Sequence, residues 1–470
     1  MHFTFKRFVR VPAIIFTLQL FGGSIVMGEG LNDIGYLVGA TAEAGSSTKE
    51  GLFNWKDANN VQSVIKREFG LVQTTAYPSW DTWTGSAQNP TTFDLNNLNQ
   101  IINWCETNNK KTVVHLIAGA GTYFPAWFNT VNWTAAQVET QLNNWITSIV
   151  TSNNNSAKVD YWNVVNEAFT WDGKYWDDST QCRWQQLGWE DDKSGLSGTE
   201  KVHARHPVYI RKAFEKTRAL TNAKLELRDY YIEFWDGSRK ARAFYQLVKH
   251  LKNSGVPIDA VGFQGHFRLD YTYDWSKLNR AVKEYKALGL EVYITEVDYG
   301  DTDHIAPAKS PNWTPQLDEA QRKSYYEFAK AAVSGGADWI CLWGVADNTN
   351  QYWRMGQNAL LFNEQYQQKN AYQGFKQGII DGKAAVKIAK PELKSDNRHT
   401  ALTIINDNLH LNIPRKSRVS IYTMSGKCIS SNSTTNSVDK INVNTLSQGV
   451  YLLQIVSPEH EVLTYKFSKL

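Results

Sequence analysis

The stretch VDYWNVVNEA, Val159–Ala168, is near-continuously apolar through Val165 and ends on the polar pair Asn166–Glu167. EVYITEVD, Glu291–Asp298, has the same form and ends on Glu296 and Asp298. A strand with one wet face alternates apolar and polar residues. A strand apolar throughout is buried on both faces, as in a parallel sheet covered by helices.

Six further stretches of this kind flank these two. They are Tyr36–Ala42, Gly70–Tyr77, Lys111–Gly119, Leu225–Tyr230, Ala260–His266 and Trp339–Asp347. Amphipathic helical patterns separate them. Lys240–Lys252 reads KARAFYQLVKHLK and is closed by Gly255 and Pro257, and Trp275–Leu288 and Asp318–Val333 behave alike. Eight strands in βα alternation predict an α/β fold, a (β/α)8 TIM barrel spanning residues 29–380. Around Gly382–His399 the pattern lapses into Lys, Pro, Ser and Asp, and residues 381–395 read as a linker. Residues 396–470 carry short strands with no helical pattern between them, which predicts a small C-terminal all-β sandwich.

Residues 1–28 have the order of a cleaved secretory signal: Lys6, Arg7 and Arg10, an apolar run, small residues, then polar chain. The chain of 470 residues has a formal net charge of +4. The signal region supplies +3, and eight basic against five acidic residues from Asp396 onward supply another +3, so the barrel segment carries −2. That speaks against a nucleic-acid or anionic-membrane surface there and suits a neutral substrate. Four cysteines, Cys105, Cys182, Cys341 and Cys428, form no CxxC pair, so no metal and no cofactor is expected. Eighteen Trp and 22 Tyr exceed what a core alone explains, and aromatic rings give platforms for the flat C–H faces of sugars.

Glu167 and Glu296 each end a strand expected to be buried. A carboxylate there is costly unless paired or employed. One reading is a pair of structural salt bridges. The other is glycoside cleavage, which needs one protonated carboxyl to release the leaving oxygen and one ionised carboxylate to attack the anomeric carbon. Asn166 is placed to bond a sugar hydroxyl, His266 to orient Glu296, and Asp298 to fix the His. Trp343 and Trp353 flank the end of the eighth strand.

YWNVVNEA, VGFQGH, GLEVYITEVD, WGVAD followed by Trp353, and ALLFN with AYQGF together resemble the signature blocks of glycoside hydrolase family 10, in the family's order, over about Tyr36–Phe375. That resemblance implies a retaining enzyme of the endo-β-1,4-xylanase kind acting on a plant or algal β-glycan. It implies Glu167 as acid/base and Glu296 as nucleophile. It also implies Asn166, Tyr230, Gln264, His266, Trp343, Trp353 and Trp80 as substrate contacts.

Several positions depart from the pattern. Thr75, Ala76 and Ser79 stand where the family usually has Glu, Asn and Lys, and only Trp80 is kept. Gly and Ala replace a usual Trp-His after the third strand. Arg228 and Tyr231 replace usual asparagines around Asp229 and Tyr230. These changes open two rivals: an exo-acting or differently specific β-glycosidase, and an inactive sugar-binding protein on the same fold. The long loop after Glu167, with Trp171, Tyr175, Trp176, Trp184 and Trp189, reads equally as a specificity loop or as packing.

The C-terminal module resembles the sorting domain of the type IX secretion system through VSIYTMSGK, LSQGVYLLQI and YKFSKL. With no Trp and few Tyr or Phe, it is a poor sugar platform. The expectation is a secreted or cell-surface monomer whose partners are a polysaccharide and the secretion machinery, with no nucleic acid.

Overall fold

The computed structural model describes residues 30–389, less the stretches 47–49, 76–81, 121–122, 177–180, 302–312, 348–353 and 355, and from 403 onward a set of strands with short gaps between them. The expected signal peptide, Trp80 and Trp353 lie outside the described residues.

In chain order the barrel elements are β1 (Leu37–Thr41), α1 (Ala58–Glu68), β2 (Leu71–Gln73), α2 (Asn96–Thr107), β3 (Lys111–Gly119), α3 (Ala126–Thr130), α4 (Ala135–Thr151), α5 (Asn155–Lys158) and β4 (Tyr161–Asn166). A hairpin of β5 (Trp189–Asp191) and β6 (Arg205–Pro207) follows. Then come α6 (Val208–Arg218), β7 (Lys224–Asp229), α7 (Arg239–Asn253), β8 (Ala260–Phe263), β9 (His266–Arg268) and α8 (Trp275–Ala287). The barrel ends with β10 (Glu291–Gly300), α9 (Pro315–Gly335), β11 (Trp339–Leu342) and α10 (Asn370–Ala389).

The parallel order β11-β1-β2-β3-β4-β7-β8-β10 closes on itself through β10–β11, which gives the eight-stranded barrel expected from the sequence. Its closed end is plugged by Leu71, Val113, Ala260, Tyr293, Trp339 and Cys341, with the Tyr293 and Trp339 rings stacked 4.3 Å apart. The larger core lies between strands and helices. In α7, Ser238 caps the first turn by accepting from the Ala241 N–H, and Phe244, Leu247, Val248 and Leu251 face inward at helical spacing.

The last helix corrects one boundary. Residues 381–389, expected to open the linker, continue α10. Their composition, Ala and Lys with apolar residues at helical spacing, suits that outcome. Gly374, Gly378 and Gly382 let α10 lie against α9: a Cβ at Gly378 would come within 2.4 Å of the Tyr326 carbonyl oxygen. Lys383 donates to the carbonyls of Ile34 and Gly35, tying this turn to the start of the barrel. The rest of the expected linker lies outside the described residues.

At the C-terminus are two antiparallel sheets, of β12 (Thr403–Ile405), β13 (Asn408–Asn412) and β16 (Val438–Asn442), and of β14 (Arg418–Thr423), β15 (Cys428–Ser433), β17 (Gly449–Val456) and β18 (Val462–Lys469). Val419, Ile421, Leu453 and Ile455 of the second sheet form a core with Val443 and Leu446. The all-β expectation holds.

Candidate active site

A β-bulge aims one of the two carboxylates. Between Ile294 and Val297, β10 holds one residue more than its partner β11. Ile294 and Val297 both join the strand–helix core, while Thr295 and Glu296 turn inward. Plain alternation would put Glu296 on the face of Ile294. The extra residue re-aims it.

The other carboxylate uses a backbone device. Glu167 follows β4 with φ +52°, a left-handed conformation that costs a non-glycine residue about 1–3 kcal/mol unless its surroundings fix it. Its N–H donates to the Arg228 carbonyl (2.9 Å), and the Trp176 indole N–H donates to its carbonyl (2.9 Å).

Both oxygens of Glu296 are held by cations. Arg228 Nη1 donates to Oε1 (3.0 Å), and His266 Nε2 donates to Oε2 (3.2 Å). His266 Nδ1 donates to Asp298 Oδ2 (2.8 Å), and Arg354 Nε donates to Asp298 Oδ1 (3.0 Å). Burial opposes charge on His266, but Asp298 and then Glu296 outweigh it and raise its pKa to about 9, so it is an imidazolium at neutral pH. Burial likewise opposes charge on Glu296. The His266 bond and the surrounding positive charge overcome it and bring Glu296 down to about 2.

Around Glu167 the donors are neutral. Gln264 Nε2 donates to Oε1 (2.8 Å), and the Tyr123 hydroxyl bonds the same carboxyl. Asn166 lies within reach of both, 3.4 Å from Gln264 Nε2 and 3.3 Å from the Tyr123 hydroxyl. Behind this group, buried Asp229 pairs with buried Lys240 (2.7 Å), whose ammonium also sits 3.0 Å from the Tyr230 ring centroid. Trp343 packs at right angles against the rings of His115 and His266.

The structure therefore brings together Asn166, Glu167, Tyr230, Gln264, His266, Glu296, Asp298 and Trp343. Sequence reasoning missed Tyr123, Glu226, Lys240 and Arg354, and noticed Arg228 only as a replacement. A usable signal was present: Glu226 and Arg228 are opposite charges two residues apart, alternating with Leu225 and Leu227 along one strand, so they share one face of it.

The loop after Glu167 divides. Trp184 is buried among Trp83, Phe124 and Phe128, and Tyr175 stacks on Phe169, so these rings pack the loop down. Trp176 braces the Glu167 backbone, and Trp171 is 78% exposed.

Among the described residues, Asp192, His206 and His250 are close enough to suggest a cation site. Their hydrogen bonds argue otherwise. His250 Nδ1 accepts from the Lys193 N–H (2.9 Å), so its Nε2 carries the proton that Glu190 accepts (3.0 Å) and has no lone pair to offer. His206 is held between the Tyr175 hydroxyl and Asp192. The cluster is a brace for the β5–β6 hairpin.

The model of glycosyl hydrolase family 10 matches residues 35–378, and that of the secretion system C-terminal sorting domain matches residues 405–468. Endo-1,4-beta-xylanase B of Neocallimastix patriciarum is 30% identical over 256 residues, 53% of this chain and 25% of that protein. Endo-beta-1,4-xylanase Xyn10C of Cellvibrio japonicus is 28% identical over 359 residues, 71% of this chain and 55% of that protein. The chain thus spans a quarter of the first and about half of the second. The crystal structure of xylanase 10B from Thermotoga maritima superposes with a TM-score of 0.60 at 22% identity, over 74% of this chain and 96% of that one.

Proposed function

The chain belongs to glycosyl hydrolase family 10, and from that premise we propose that it is a retaining glycoside hydrolase cleaving β-1,4-linked xylan or a closely related β-glycan. The observation that carries the reading is the contrast within the site: one carboxylate gripped by cations at both oxygens, the other held by neutral donors.

Glu296 attacks the anomeric carbon as that carbon's bond to the leaving oxygen breaks, and the leaving oxygen takes the proton of Glu167. Water then attacks the anomeric carbon. The Glu167 carboxylate accepts the water proton and Glu296 is released as the anion. His266, held as an imidazolium by Asp298, keeps Glu296 ionised. Asn166 and Gln264 meet the sugar hydroxyls beside the reacting carbon. Tyr230 and Trp343 wall the sugars, and no cofactor takes part. All the groups come from one chain, which acts as a monomer.

Proton spectroscopy of the first product formed from xylan tests this. Retention of the β-configuration is expected, and an initial α-anomer excludes a double displacement. A second reading, an exo-acting or differently specific β-glycosidase, is favoured by Thr75 standing where the family usually has Glu. A product ladder of mixed lengths excludes exo action.

The C-terminal sorting domain makes this an exported protein, secreted or held at the cell surface. We further propose that the module engages the secretion machinery and is separable from catalysis. A chain ending at Lys390 keeps α10 whole and should keep full turnover. One ending at residue 380 loses the Lys383 ties and the Gly382 contact, and should melt at a lower temperature. Loss of turnover in a folded chain ending at Lys390 would mean that the module serves the site.

A further inference from the structure

Each cation on Glu296 brings its own anion. His266 is matched by Asp298. Arg228 is matched by Glu226, in a two-pronged pair: Arg228 Nε donates to Glu226 Oε1 (2.7 Å) and Nη2 donates to Oε2 (3.0 Å). Both side chains of that second pair are wholly buried inside the barrel. Room for it is built into the next strand, where Gly262 faces Glu226. A Cβ at Gly262 would lie 1.9 Å from Oε1. Two prongs of the guanidinium are thereby spent on Glu226, and the third points at Glu296 Oε1.

We propose that Arg228, splinted by Glu226, is a positioning residue that holds the nucleophile from the barrel interior and keeps it ionised in acid. The proposal rests on Glu296 being the nucleophile. The chemistry explains why the splint is there. When Glu296 bonds the sugar it loses its charge. A lone buried guanidinium would then be left without a counter-charge, at high cost. With Glu226 in place the Arg228 pair stays neutral through the cycle, as the His266–Asp298 pair does on the other side.

Of the remaining titratable groups facing Glu296, His115 adds positive charge in acid alone. On β3, burial lowers it to about 4, so it is neutral above that pH and below it adds its charge to that of Arg228; its Nδ1 lies 2.8 Å from Asn163 Oδ1 and 3.2 Å from Arg228 Nη1. Burial raises the Tyr123 hydroxyl well above its usual range and the Cys341 thiol on β11 likewise, so neither carries charge. Glu226 is negative and opposes ionisation of Glu296. On this side Arg228 is the cation in contact with it.

The test is the pH profile of kcat/KM on an aryl β-xyloside with a good leaving group, which does not need the Glu167 proton. Arg228→Asn alone would strand Glu226. The variants are therefore Arg228→Lys and the double Glu226→Leu/Arg228→Met, since exchange of a buried ion pair for apolar side chains of similar volume is often tolerated. The acidic limb should move to higher pH by up to roughly one unit in the double variant, less than the about 1–3 units of one adjacent opposite charge, because the opposing charge of Glu226 is removed with that of Arg228. Lys, which cannot fork between two carboxylates, should give a smaller shift in the same direction. KM should change little. Carbon-13 titration of the Glu296 carboxyl in a Glu167→Gln background reads the same shift without turnover. A limb and a carboxyl titration unchanged in these variants overturn the proposal. An active Glu296→Ala overturns the underlying functional reading instead.

Discussion

Glu167 and Glu296 both stand at the C-terminal ends of barrel strands, on the same mouth, yet they are held in opposite ways. Glu296 is 3% exposed, re-aimed by a bulge in its strand, and each of its oxygens meets a cation. Glu167 sits on a left-handed residue one step past its strand, half-buried, with an amide and a phenol as donors. Fixed charge next to Glu296 favours one protonation state throughout. The donors next to Glu167 carry no charge, and in the proposed reaction this group gives a proton in one step and takes one in the next. The division of labour is written in the second layer of contacts, where two similar carboxylates become different reagents.

The largest effect should come from the gripped carboxylate. With Glu296 as the nucleophile proposed above, Glu296→Ala removes the attacking atom, and turnover should fall on the order of 10⁵-fold on any substrate, activated or natural. With azide, any product this variant forms should be the α-glycosyl azide, since the small anion enters where the carboxylate stood.

Glu167→Ala should cost less, about 10²–10⁴-fold on natural glycan, the usual weight of general acid–base help. A phenolic leaving group departs without a proton, so formation of the glycosyl-enzyme should survive on such substrates. Azide should then restore turnover and give the β-glycosyl azide. The comparison breaks if the azide products are exchanged: β from Glu296→Ala and α from Glu167→Ala would reverse the two roles.

A third measurement asks whether the grip is seen in folding. His266, raised to about 9, contributes stability that is fully present below its unfolded value near 6.5 and is lost as pH rises through about 9. Glu296, lowered to about 2, contributes stability that is present above its unfolded value near 4.5 and is lost as pH falls through about 2. The His266 shift comes first from Asp298 and then from Glu296, and on the alkaline side it amounts to about 3 kcal/mol. Urea unfolding between pH 6.5 and 9 should show that loss in the wild type. His266→Gln should flatten it. Parallel curves would mean that the imidazolium is not held.

The fold was legible because burial on both faces leaves a mark in composition: VDYWNVVN and EVYIT are apolar at successive positions, and helices with clear periodicity separate the strands. The residues proposed to react were legible as candidates because polar groups closing such strands stand out. What held them was not. Glu226, Arg228 and His115 lie inside the barrel, yet in the sequence a buried charge looks like an exposed one until its partner is known. His115 and Arg228 are 113 positions apart in the chain and 3.2 Å apart in space. The bulge in β10 is equally silent, since Ile-Thr-Glu-Val reads as plain alternation. The end of α10 was misplaced because Lys and Asp suit a linker and a helix surface alike.

The smallest expected effect sharpens the contrast most finely. Gln264 donates to Glu167 Oε1 at 2.8 Å and is the neutral counterpart of Arg228 on Glu296. A neutral hydrogen bond exchanged against water is worth about 0.5–1.5 kcal/mol net, so Gln264→Leu should lower kcat/KM by roughly two- to tenfold. The amide also lies 3.4 Å from Asn166 Oδ1, so part of that loss should appear as a weaker KM through a less ordered Asn166. If the same substitution costs more than a hundredfold, mainly in kcat, Gln264 commits Glu167 as firmly as the cations commit Glu296. The distinction between a fixed and a free carboxylate would then fail on the acid/base side.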